Sequence, residues 1–305
     1  MKKIFNSINV LILLTFLLSA CATPAPQTDT GKLQVLATTT FLADITRNVA
    51  GNRAQVDSLL PVGADPHAYQ AAPSDVARIA KSRVLIQNGI EYEHFLGSLL
   101  ENAGGQRSII TATDGLTPNQ MDSEEATGQK VGDPHMWLDP VLVVTYVENI
   151  RDGLIQADPA GAEIYKTNAD AYIAQLKDLD AWIRAQVETV PAERRLLVTN
   201  HEALGYFARE YGFTVVGSIL PSLSSEASAS AQEIAASVDA NKASGAPVIF
   251  LGDVENAKLA EQIASETGVK VVNDLHLESM TDGAPAATYI EMMKYNVTRI
   301  VEALK

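Results

Sequence analysis

The chain has 305 residues, 47% of them hydrophobic, and carries a formal net charge of −14 with a single cysteine. That excess of acid argues against nucleic acid as a partner, since phosphates are bound by lysine and arginine. A lone cysteine excludes an intrachain disulfide and a thiolate zinc site, so any metal must be held by nitrogen and oxygen.

Lys2 and Lys3 precede an apolar run from Ile8 to Leu18, followed by Leu18, Ser19, Ala20 and Cys21. This is the pattern of a signal peptide over residues 1–20, with an apolar core shorter than the about 20 residues that span a bilayer. The Leu-Ser-Ala-Cys run resembles a bacterial lipobox, which implies acylation of Cys21 and an extracytoplasmic protein anchored to a membrane at the cell surface or in the periplasm. Cleavage would remove two lysines and no acid, taking the charge to −16. Residues 21–32, rich in Thr, Pro, Ala and Gln, read as a lipidated tether without the apolar content to fold.

From Leu33 onward, short Val/Ile/Leu runs alternate with segments of helical period, the signature of an α/β fold with buried parallel-type strands. In the first half, strands are expected near Leu33–Ala37, Gln55–Leu59, Val84–Gln87 and Ser108–Thr111. In the second they are expected near Leu196–Thr199, Thr214–Ile219, Val248–Leu251 and Lys270–Val272. Between the halves, Tyr165, Ala169, Tyr172, Leu176, Leu179, Ile183 and Val187 step by three or four residues along one helix face. Bounded by Pro159 and Pro191, that helix should span roughly 30 residues, or about 45 Å, and should act as a rod fixing two α/β domains. The expected plan is an N-terminal α/β domain over 33–157, a linking helix over 158–190 and a C-terminal α/β domain over 191–305. The polar stretch Asp122 to Lys130 reads as a solvated acidic loop.

Histidines stand at positions 67, 94, 135, 201 and 276. His67 lies in ADPHAYQAAPSD (Ala64 to Asp75), after the second strand and ahead of a helix opened by Pro73 and Ser74. His135 lies in GDPHMWLDP (Gly132 to Pro140), directly before a helix, and His201 follows the strand ending at Thr199 and should start the next helix. Ligands of open α/β sheets bind beyond the carboxyl ends of strands, so these three imidazoles make a plausible convergent site. Imidazole suits zinc, copper, iron and nickel, and a carboxylate completes four-coordination. The long spacings exclude a local finger-like site. Glu202 follows His201 as in a His-Glu-x-x-His protease helix, but Gly205 stands where that motif needs its second histidine. Trp137, Tyr69 and Tyr206 lie beside the candidate ligands and either shield the metal from water or serve ordinary core packing.

The motifs ADPHAYQAAPSD, GDPHMWLDP, VTNHEALGYFAREYGF (Val198 to Phe213) and DGAPAATYIEMMKYN (Asp282 to Asn296) together resemble the zinc and manganese substrate-binding proteins of bacterial ABC importers. The resemblance runs in order from about Leu33 to the end. It implies two α/β domains linked by a long helix, one metal in the cleft between them, delivery to an ABC permease, and ligands at His67, His135 and His201. It also implies a late carboxylate, which falls on Asp274; His276, two residues on, would point the same way in an extended segment and is a second candidate. His94 sits where the family has no ligand and reads as a surface residue.

Relatives with glutamate at the third ligand position resemble manganese carriers, whereas histidine there, as here, implies zinc or a mixed preference. Three nitrogens and one carboxylate favour zinc on chemical grounds as well. The His-rich loop of some zinc-specific relatives is absent between Asp122 and Lys130, which keeps manganese as the alternative. A monomeric carrier with four protein ligands and no turnover is therefore expected. The competing class, an extracytoplasmic zinc-dependent hydrolase, would need three protein ligands, a metal-bound water and a base. A third, an adhesin or scaffold using the metal only for stability, would not depend on an importer.

Overall fold

The computed structural model describes residues 31–122, 130–219, 245–254 and 258–305, with single helical positions at 236, 239 and 243. The signal peptide, Cys21, the tether up to residue 30 and most of the Asp122 to Lys130 loop lie outside the described residues.

Two parallel sheets carry the architecture. The first is built from β1 (Leu33–Ala37), β2 (Ala54–Ser58), β3 (Val84–Gln87) and β4 (Ser108–Thr111), in the order β2-β1-β3-β4. Helix α1 (Thr40–Ala50) links β1 to β2, α2 (Pro73–Lys81) links β2 to β3, and α3 (Leu96–Ala103) precedes β4. A short antiparallel hairpin follows, β5 (Gln120–Asp122) against β6 (Lys130–Gly132), and then the helices α4 (Pro140–Ala157) and α5 (Ala162–Val187). The second sheet contains β7 (Leu196–Thr199), β8 (Thr214–Ser218), β9 (Val248–Gly252) and β10 (Lys270–Leu275), in the order β10-β9-β7-β8. Read from the other edge, its strand order repeats that of the first sheet. The helices α6 (Gly205–Tyr211), α7 (Lys258–Thr267) and α8 (Tyr289–Leu304) complete the described fold.

Period-two alternation decides which face each strand residue serves. Val35, Ala37, Val84 and Ile86 join Leu197, Val248 and Phe250 in one continuous core. Their neighbours Leu36 and Leu85 face the opposite way, onto Ile79 of α2 and Leu96 and Leu99 of α3. In the second sheet Val198, Ile249 and Leu251 likewise turn to a separate cluster with Ile219 and Ala246. The central strands β1, β3, β7 and β9 are thus covered on both faces and read as unbroken apolar runs, whereas Gln55 and Asp57 of β2, Ile109 of β4 and Val215 of β8 are exposed on the edge strands.

Helix α5 is the long helix anticipated from the sequence. All seven residues of its expected stripe, from Tyr165 to Val187, are its buried residues, and it packs against α4, α1 and α8. Its 26 residues make it somewhat shorter than expected, because the first turn after Pro159 is a separate 3-10 turn ending at Gly161. The buried face of α5 belongs to the same core as both sheets. Leu179 is 1% exposed, and Leu179→Ala should lower unfolding free energy by about 2–5 kcal/mol through lost transfer energy and a residual cavity. Urea denaturation checks this; a loss below about 1 kcal/mol would mean that the stripe is not core.

Candidate metal centre

The two Asp-Pro-His sequences fold alike. In the loop after β2, the Asp65 carboxylate accepts the backbone N–H of His67 at 2.9 Å, and in the loop after β6 that of Asp133 accepts the N–H of His135 at 3.0 Å. Each is an Asx turn, which an aspartate two residues before the histidine makes locally, while the intervening proline restricts the backbone. The His135 loop is also tied to the first sheet, where Asn88 Nδ2 donates to Pro134 O at 3.1 Å and Asn88 Oδ1 accepts from Tyr146 at 2.6 Å.

His201 lies beyond β7, its carbonyl accepting from Thr199 Oγ1 at 2.7 Å and from the N–H of Ala203 at 2.9 Å. It does not start the next helix, as the sequence suggested. These contacts hold residues 199–203 in a tight turn, and α6 begins only at Gly205. At Gly205 a Cβ would come within 3.2 Å of Asp133 Oδ2, so a glycine there brings the His201 loop close to the His135 loop.

These elements bring His67, His135 and His201 together with a fourth residue, Glu278, their ligand atoms all within 4.8 Å of one another. Glu278 Oε1 is 3.3 Å from His201 Nε2, 3.4 Å from His135 Nε2 and 3.8 Å from His67 Nε2, and the His135 and His201 Nε2 atoms are 3.3 Å apart. A tetrahedral ion with bonds of 2.0–2.1 Å would have ligand–ligand edges of about 3.3 Å. All four side chains are at most 5% exposed. His67 Nε2 and Glu278 Oε1 are buried without a hydrogen-bond partner, a costly state that an ion at their centre relieves.

Asp274, the carboxylate expected from the sequence, is not in this cluster. Its Oδ2 accepts from Tyr295 at 2.9 Å and its Oδ1 from Arg299 at 3.0 Å, both on α8. The cause is the length of β10, which continues to Leu275 with a register irregularity after Val272. Asp274 is therefore still part of the strand, and the loop beyond the strand end, where ligands are held, begins later and carries Glu278. His276 is also elsewhere, its Nδ1 2.9 Å from Asp253 Oδ2 and its backbone bracketed by Asn296. His94 is exposed, and Glu202, outside the cluster, accepts from Ser218 at 3.4 Å.

Two of the inner side chains, His135 and Glu278, are held from behind. Asp133 Oδ1 lies 2.8 Å from His135 Nδ1, which places that ring's N–H on the carboxylate and leaves the Nε2 lone pair facing inward. Tyr206 donates to Asp133 O at 2.7 Å and accepts from the N–H of Asn119 at 2.9 Å. Tyr92 donates to Glu278 Oε2 at 2.6 Å. Trp137 packs beside His135 and Tyr92 and stacks on Phe41, with ring centroids 5.1, 4.8 and 4.6 Å apart, and donates Nε1–H to Leu277 O at 2.9 Å. Of the three aromatics singled out in the sequence, Trp137 thus walls the site and Tyr206 braces it. Tyr69 instead bonds Asp75 and packs on Phe95 away from the metal cluster. Asp133 and Tyr92 were not anticipated, although the aspartate of the second Asp-Pro-His was a legible signal.

Burial alone would raise the Glu278 pKa, but the imidazoles of His135, His201 and His67 bring it well below the ordinary carboxylate range. Burial would lower that of His135, yet the Asp133 and Glu278 carboxylates together raise it. Burial, reinforced by Glu278, pushes the Tyr92 hydroxyl far up, so it remains a donor.

Residues 35–303 match the family described as ZnuA, zinc-uptake complex component A, periplasmic. The chain belongs to that family. Among its relatives is the manganese-binding lipoprotein MntA of Halalkalibacterium halodurans, 33% identical over 100% of this chain and 99% of that protein. The iron-binding protein YfeA of Yersinia pestis is 32% identical over 93% of this chain and 90% of its own. The solved structure of the periplasmic zinc-binding protein TroA from Treponema pallidum superposes with a TM-score of 0.82 at 30% identity, covering 90% of this chain and 99% of that one. Within one family and one fold, the relatives carry the names of three different metals, so the family alone does not choose this chain's cargo.

Proposed function

We propose that this protein captures a divalent transition metal outside the cytoplasm and delivers it to the permease of a membrane ABC importer, with zinc as the cargo. The carrying observation is the buried set of His67, His135, His201 and Glu278, four donor atoms within 4.8 Å. Family membership supports the transport role. The cargo rests on the donor set itself, since three imidazole nitrogens and one carboxylate oxygen suit zinc, and zinc exceeds manganese in affinity for such sites. Four protein donors would fill a tetrahedral shell, which supports a carrier over a hydrolase that needs a position for its nucleophilic water.

Residues 1–20 would be removed on export and Cys21 acylated, leaving a monomer tethered by residues 21–32, with 33–157 and 191–305 as its two domains about the helix segment 158–190. Cys21→Ser should move the protein from the membrane fraction to the soluble fraction on cell fractionation; retention in the membrane would refute the anchor.

Elemental analysis of protein purified without added metal tests the central reading. Stoichiometric zinc is expected, reduced to a trace in His201→Ala. An unchanged metal content in that variant would overturn the assignment.

A further inference from the structure

We infer that Tyr92 sets the metal selectivity of this site by occupying one oxygen of Glu278, so that the carboxylate ligates through Oε1 alone and the site closes at four donors. The inference rests on the proposed function above and deepens it. A glutamate beside a metal can bind through one oxygen or both, and the difference decides between a four-coordinate and a larger shell. Here the choice is made by the protein: Tyr92 donates to Oε2 at 2.6 Å, while Oε1 faces His135 and His201 at 3.4 and 3.3 Å. Turning Oε2 toward the ion would pull it away from the Tyr92 hydroxyl and strain a hydrogen bond to a buried charged acceptor.

Tyr92 has no freedom to follow such a turn. Its ring is 1% exposed, 4.8 Å from that of Trp137 and edge-on to His67 at 5.5 Å. The backbone leading to it is fixed as well. Gly89, Ile90 and Glu91 take φ of 93°, 56° and 58°, left-handed values that a β-branched residue adopts only when its surroundings impose them. The buried Glu93 supplies that constraint, accepting from Asn88 N at 2.6 Å, Gly89 N at 3.1 Å and Thr38 Oγ1 at 2.7 Å. A Cβ at Gly89 would collide with Thr111 Cγ2, so the turn also needs its glycine.

Zinc is satisfied by four nitrogen and oxygen ligands, whereas manganese prefers carboxylate, carbonyl or water oxygens in an octahedral set. A carboxylate held to one oxygen inside an aromatic wall therefore works against manganese more than against zinc. Tyr92 is a positioning residue in this scheme: it touches the ligand and not the ion.

The test is Tyr92→Phe in the mature protein, which keeps the ring packing and removes only the hydroxyl. Cobalt(II) is the probe, because its visible bands are intense in four-coordinate sites and weak in larger ones. Wild type should give intense bands and Tyr92→Phe weaker ones, with the ratio of zinc to manganese affinity, measured by competition, falling about tenfold, within the range seen for outer partners of metal ligands. Unchanged bands and an unchanged ratio would overturn the inference, as would an equal loss of affinity for both metals. Should the variant fail to fold, zinc-edge X-ray absorption of wild type decides, four light ligands supporting the inference and five or more overturning it. A wild-type protein that takes up no cobalt, or a His201→Ala spectrum identical to wild type, would instead refute the metal centre itself.

Discussion

Replacing Glu278 with alanine is expected to raise the dissociation constant for zinc by more than about a hundredfold, since losing a direct ligand exceeds the ten- to hundredfold cost of losing an outer partner. Asp274→Ala should leave it within about twofold, because its carboxylate serves α8 and not the ion. The two variants separate the carboxylate in the cluster from the one nearer the strand. Removing Glu278 takes the sole carboxylate oxygen from the cluster of three imidazoles, so an entering dication meets no opposite charge at its inner shell. Removing Asp274 breaks a half-exposed pair with Arg299, side chains 41% and 36% exposed, and should cost no more than about 1 kcal/mol of stability. Competition titration with a zinc-responsive dye, run beside urea denaturation, reads both quantities. Near-wild-type zinc binding by Glu278→Ala, or its loss in Asp274→Ala, would restore Asp274 as the ligand.

The sequence carried most of the fold because the central strands of both sheets are covered on their two faces. Strands buried that way read as short apolar runs, and β1, β3 and β7 occupy the expected residues, as does the edge strand β4. The stripe of α5 was legible for the complementary reason that one face alone of that helix is buried. The β5–β6 hairpin was missed, its three-residue strands being too short for alternation to register. In the site, the three histidines were readable from their places after strands and the repeated Asp-Pro-His. The fourth donor was not, because it depended on where β10 ends, and element boundaries are what local pattern fixes least well. Lys270, Asn273 and Asp274 break the apolar run that marks the central strands, and this edge strand continues past them only because it pairs with the wholly buried β9. That pairing is tertiary information. The bond from Tyr92 to Glu278 spans 186 residues, a separation at which no local signal exists.

Zinc affinity should fall steeply as pH drops, and the fall should begin above the ordinary imidazole value of 6.5. In the metal-free chain His135 stands between two carboxylates, Asp133 at Nδ1 and Glu278 at Nε2, an arrangement that favours the imidazolium and raises its pKa. The metal must displace the proton at Nε2, so it competes with acid from a higher pH than an isolated histidine would require. One proton displaced per metal gives a loss of about 1.4 kcal/mol, or tenfold in affinity, per pH unit below that pKa. Glu278 does not limit binding, since its lowered pKa keeps it ionised over this range. The same shifts act on folding with opposite signs. The raised pKa of His135 contributes stability that is fully present below 6.5 and is lost as pH rises through the folded value. The depressed pKa of Glu278 contributes stability present above 4.5 and lost only as pH falls through its folded value. Metal-free protein therefore loses this contribution as pH rises through the raised His135 value, where metal binding tightens, and the gap in Tm between loaded and chelated protein should widen as pH rises from about 5.5 to 8. At free zinc a thousandfold above Kd the gap corresponds to about 4 kcal/mol. A Tm difference that stays flat across that range would mean that no proton leaves an imidazole when the metal enters, and histidine ligation would have to be abandoned.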